Sequence, residues 1–148
     1  MTISDNTLLD VGFVCPLNGC QYVGIDVGSN HSSTTRISKN TIYTTPNAVG
    51  VGVIVIQSQN ASITGNDING AYEGVFLTED TGAVVQTNTI TNTFAAVTVN
   101  DNGSTGRNIV TNNTINEASC GIQTTLADVK DTIVHNTLLN VTTSGACN

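Results

Sequence analysis

Six copies of one short phrase constrain this chain more than any other feature. The pattern apolar-x-x-Asn-x-apolar occurs at Ile3/Asn6/Leu8, Ile37/Asn40/Ile42, Ile63/Asn66/Ile68, Val85/Asn88/Ile90, Val110/Asn113/Ile115 and Ile133/Asn136/Leu138. Successive asparagines stand 34, 26, 22, 25 and 23 residues apart. Recurrence at that interval marks a solenoid, in which each repeat is one coil that buries its apolar face only against its neighbours.

A second phrase, a small residue followed by an alternating apolar strand, accompanies the first. It reads GIDV at Gly24, GVIV at Gly52, GVFL at Gly74, AVTV at Ala96, GIQT at Gly121 and GACN at Gly145. From Asn66 onward, the step from asparagine to small residue is 8, 8, 8 and 9. Two strands at fixed phase, with turns between them, make one rung. Alternation points Ile25, Val27, Val53, Val55, Val75, Leu77, Val97, Val99, Ile122 and Thr124 inward. It leaves Asp26, Ile54, Phe76, Thr98 and Gln123 as an outward column. The recurrent asparagine suits a buried turn, since Asn tolerates left-handed geometry and its amide can bond to the rungs above and below. Stacked at about 4.8 Å, such asparagines form an internal ladder.

Composition agrees with an all-β body. In 148 residues, 24 threonines and 19 asparagines stand against four Lys plus Arg, and 39% of the chain is hydrophobic. That is enough for a core and too little charge for a disordered tail. The net charge of −7 excludes nucleic acid and anionic membranes as partners, because no cation cluster can replace phosphate counterions. The longest apolar run, Val49 to Ile56, is too short to span a bilayer, and the N-terminus lacks a signal-peptide pattern. The chain therefore reads as a trimmed, mature form or a cytosolic one. Four cysteines favour the exported, extracellular or cell-surface option, pairing as Cys15 with Cys20 and Cys120 with Cys147.

With these phrases in place, the sequence resembles the right-handed parallel β-helix of the pectate-lyase-like superfamily, from Ile3 to Gly145. The resemblance implies a single-stranded β-solenoid of about six rungs, forming one domain over 1–148 or a piece of a longer solenoid. It says little about activity, because lyases, polygalacturonases, alginate epimerases, tailspikes, adhesins and copper-delivery proteins share the coil. Members acting on uronates pair a calcium-holding acidic cluster with an Arg, Lys or His that takes the sugar C5 proton. Here that reading assigns Glu79, Asp80 and Asp101 to calcium, and Arg36, Lys39 or His31 as base. The Gly-His-Gly and aspartate-pair elements of polygalacturonases, and the DPH element of epimerases, are missing. One Met and two isolated histidines give copper handling no recurrent donor pattern.

The first two coils take 18 and 12 residues from asparagine to small residue, so they carry extra loops at one corner. Tyr22 and Tyr43 there are candidate ligand-binding residues that can stack on a sugar face. The chain starts and ends within rungs, which makes end-to-end stacking with itself, or with further coils, the expected partnership. The leading expectation is a non-catalytic extracellular module with a structural, self-assembling or glycan-attachment role and no cofactor. The alternative is a lyase or epimerase acting on acidic polysaccharide, with calcium.

Overall fold

The computed structural model of the protein describes residues 1–11, 22–28, 34–44, 50–101, 106–125 and 130–143. Within them lie fifteen strands: β1 (Thr2–Ser4), β2 (Thr7–Val11), β3 (Tyr22–Val27), β4 (Arg36–Ser38), β5 (Thr41–Thr44), β6 (Gly50–Ile56), β7 (Ser62–Thr64), β8 (Asp67–Asn69), β9 (Glu73–Thr78), β10 (Val84–Gln86), β11 (Thr89–Asn100), β12 (Ile109–Thr111), β13 (Thr114–Thr124), β14 (Thr132–Val134) and β15 (Thr137–Leu139). Among the described residues, no helix is long and apolar enough to cross a membrane.

Every pairing is parallel, and strands stack in the order of the coils. The first sheet runs β1-β4-β7-β10-β12-β14, with Ile3, Ile37, Ile63, Val85, Val110 and Ile133 in one register column. The second sheet has two legs. One stacks β2, β5, β8, the start of β11, the start of β13 and β15. The other stacks β3, β6, β9 and the latter parts of β11 and β13. β11 and β13 run unbroken round the corner between the legs. The result is a parallel β-solenoid, consistent with the right-handed sense. The count of six rungs is approximate, because six strands stack in the first sheet but the winding amounts to about four turns.

The corners are built from left-handed backbone. Asp5, Lys39, Gly65, Thr87, Asn112 and His135 all have positive φ, between 54° and 65°, and each immediately precedes a ladder asparagine. It is thus the preceding residue, and not the asparagine, that turns the chain. Gly70, Asn92, Glu117 and Asn140 form a second such column, Gln57 and Glu79 a third, and Asn60, Gly82 and Arg107 a fourth.

Between the sheets, Ile37, Ile42, Ile63, Ile68, Val85, Ile90, Val110 and Ile115 are wholly buried, as are Val53, Val55, Val75, Leu77, Val97 and Val99 of the second leg, whereas Thr124, expected inward, is only half-buried. Burial of each such side chain contributes roughly 1.5–3 kcal/mol. In the last rung the same phrase is open, with Ile133 41% and Leu138 37% exposed. The small residue of the second phrase has a steric cause. A Cβ on Gly74 would meet the Ala96 carbonyl oxygen at 2.5 Å and the Ile90 Cγ2 at 2.6 Å. The outward column differs from expectation, since Ile54 and Thr98 are buried and that face is not a free surface.

Candidate functional site

Three groups of side chains stand out: an asparagine ladder, an acidic corner and an exposed aromatic pair. In the ladder, Asn66 N–H and its Nδ2 both donate to the Asn88 Oδ1, at 2.9 Å each, while Asn66 Nδ2 also donates to the Ile37 carbonyl at 3.0 Å. The same set joins Asn88 to Asn113 and Ile63, and Asn113 to Asn136 and Val85. It also joins Asn40 to Asn66 and Ile3, and Asn6 to Asn40. These amides are consumed in satisfying a buried turn.

Diagonally across the rung, the chain brings Glu79, Asp80 and Asp101 to one corner. Asp80 is wholly buried. Its Oδ1 accepts the Ser58 N–H at 2.6 Å and its Oδ2 the Thr78 N–H at 3.1 Å. Glu79 Oε2 accepts from Gln57 Nε2. Asn108 Nδ2 donates to Asp101 Oδ1 at 2.9 Å, and its backbone N–H donates to Asp131 Oδ1 at 2.7 Å. Burial pushes the Asp80 carboxyl up to about 7. The two backbone N–H groups oppose that rise, and the charges of Asp101 and Glu79 add to it. Asp101 and Glu79 lie close enough to Asp80 to act on its charge. Both Asp80 oxygens are turned onto backbone amides, and no group of three or more His, Cys, Asp or Glu among the described residues is arranged to hold a metal ion.

The cations stand elsewhere. Arg36 opens β4 and Lys39 occupies the exposed left-handed corner that follows it, on the far side of the first sheet's strand from the acidic turn. His31 lies outside the described residues, as do Cys15, Cys20 and Cys147. Cys120 is buried and disulfide-bonded, so its predicted pairing with Cys147 falls on a residue outside them. Tyr43 is exposed on β5, in register with Asn69. The backbone of Tyr22 sits in a different column, in register with Gly50.

The residues that sequence reasoning missed are Tyr72 and Phe94. Their rings lie flat on one another, with centroids 4.7 Å apart and planes at 5°, and they are 44% and 41% exposed. A signal for them was present. Tyr22, Tyr72 and Phe94 each stand two residues before the small residue of their coil, Gly24, Gly74 and Ala96.

Compared with known families, residues 1–146 match the family described as periplasmic copper-binding protein (NosD). The chain belongs to that family. No curated protein and no solved structure matches it. The NosD description bears out the location outside the cytoplasm. It overturns the expectation of no cofactor, since the family is described as copper-binding.

The described residues themselves do not fit a copper ion. Copper takes imidazole, thiolate or thioether donors. Met1 and His135 flank β1 and β14, at opposite ends of the first sheet. The Cys120 sulfur is held in a disulfide. In this NosD-family chain the ladder amides and both oxygens of Asp80 are engaged within the fold.

Proposed function

We propose that this chain is a non-catalytic, exported β-helix module that works by presenting surfaces, stacking on further coils or copies of itself and attaching to a glycan. The observation that carries this reading is where its reactive groups go. The carboxylate best suited to chemistry, Asp80, spends both oxygens on the N–H groups of Ser58 and Thr78, and the recurrent amides are spent on the ladder. Terminal rungs support the stacking part, because Asn136 donates its Nδ2 back to the Val134 carbonyl of its own rung, where interior asparagines reach the next one.

Copper enters this proposal from the family's description, with His31, which lies outside the described residues, as the donor to test. Equilibrium dialysis against Cu(I) and Cu(II) tests it: retained copper that falls in His31→Ala supports the assignment, and none retained removes it. Calcium-dependent growth of unsaturated-uronate absorbance on pectate or alginate, abolished by Asp80→Ala, would overturn the non-catalytic reading. Sedimentation showing only monomers at high concentration would remove self-stacking.

A further inference from the structure

Tyr72 and Phe94 take no part in closing the core, whose inward positions in the same rungs, Val75, Leu77, Val97 and Val99, are wholly buried. Each ring has one face covered by the other and one face turned along the coil axis. Register shows what stands over those outer faces. Thr93 pairs Ala118 and Ala95 pairs Cys120, so Ser119 follows Phe94 in the column. On the other side Val51 pairs Glu73, which sets Gly50 against Tyr72. The aromatic stack thus ends on both sides at a residue with little or no side chain, and Ser119 is itself exposed.

The neighbouring corner supplies hydrogen-bonding groups. Asn92, exposed and left-handed at φ 52°, stands two residues before Phe94. Its Nδ2 donates to the Asn69 Oδ1 at 3.2 Å, which leaves its carbonyl oxygen and second amide hydrogen facing solvent. Two rungs on, Asn140 donates to Asn116 at 3.1 Å. Amides beside an open aromatic face match the two sides of a pyranose: hydroxyls that exchange hydrogen bonds, and a C–H face that packs on a ring. Charge narrows the class. Glu117 is exposed in the same corner column as Asn92, and the chain carries −7 overall, so a uronate carboxylate is repelled.

We infer that the Tyr72–Phe94 corner is a binding platform for a neutral glycan, whose sugar ring packs on the outer face of Phe94 over Ser119 and hydrogen-bonds to Asn92. This rests on the attachment part of the function proposed above and names its surface and ligand class.

The probes are cellohexaose and chitohexaose, with polygalacturonate as the anionic control, titrated by calorimetry against the full chain. Expected is saturable binding of at least one neutral oligosaccharide, weakened by about threefold to tenfold in Phe94→Ala, retained in Phe94→Tyr and indifferent to Tyr43→Ala. Ser119→Phe separates a binding role from a structural one. It extends the stack, so it should raise the melting temperature while blocking the sugar. Binding of neither neutral probe, or binding unchanged in both Phe94→Ala and Ser119→Phe, overturns the platform. Should the chain bind a glycan regardless of these changes, the platform falls and the attachment reading survives. If Phe94→Ala abolishes self-association without any sugar binding, the pair is a contact between copies and the inference is wrong.

Discussion

Two buried columns of polar side chains run along this coil, and they meet the same need with different chemistry. At one corner the ladder asparagines present neutral amides, each both donor and acceptor, so every rung supplies what its neighbour lacks. At the other, Asp80 presents its oxygens to the backbone N–H groups of Ser58 and Thr78, and Asp101 accepts from the Asn108 side-chain amide. An amide ladder repeats without limit because it accumulates no charge. A carboxylate column cannot, since each added acid raises the cost of ionising the others. That contrast explains why the asparagine recurs in six coils while the acids occupy only a few.

The largest effect should come from breaking the neutral column at its centre. Asn88→Ala leaves the Asn66 N–H, one of the two Asn66 Nδ2 hydrogens and the Ile63 carbonyl without the bonds they make to Asn88 in a dry interior, and is expected to cost about 4 kcal/mol in denaturant unfolding. Packing is tested next. Gly74→Ala forces the backbone away from the Ala96 carbonyl and is expected to cost about 3 kcal/mol, with Ala96→Gly far milder.

The acidic column is distinguished by pH. The folded Asp80 carboxyl keeps its proton to about 7, whereas an unfolded aspartate releases it near 3.9. The folded state therefore binds the extra proton, and stability falls as pH rises from about 4 through 7, then levels. Glu73, also raised by burial, adds the same sign. Melting between pH 5 and 8 should show a loss of about 2 kcal/mol after solvent screening. Asp80→Asn should remove most of that slope. A wild-type profile that rises with pH would refute the assignment. The smallest effect belongs to Asn136→Ala at the open rung, about 1 kcal/mol, because water replaces what the ladder loses there.

Much of the fold was legible because the ladder and strand phrases each encode a packing need that only a few residue types meet. The left-handed corners were not legible in the same way. Asp5, Lys39, Gly65, Thr87, Asn112 and His135 share a backbone shape that water and the next rung's carbonyl make tolerable, with no common side chain to reveal it. The acidic corner was legible as an adjacency, from LTED and VNDN. Its burial was not, since nothing in those letters shows both Asp80 oxygens taken by amides. The phase of Tyr72 and Phe94 before Gly74 and Ala96 is written in the repeat, but an aromatic pair is not, since the same phase holds Gly50 and Ser119 in the adjoining coils. Copper was discounted for want of recurrent His or Met, a pattern that family membership does not require.

The asparagine ladder also gives the coil a direction. Each Nδ2 points to the Oδ1 of the following rung, so the amide dipoles align head to tail, as peptide dipoles do in a helix. The column is acceptor-rich toward Asn6 and donor-rich toward Asn136. Any coil that extends it, from this chain or another, is accepted in one orientation only, and an inverted neighbour would set donor against donor.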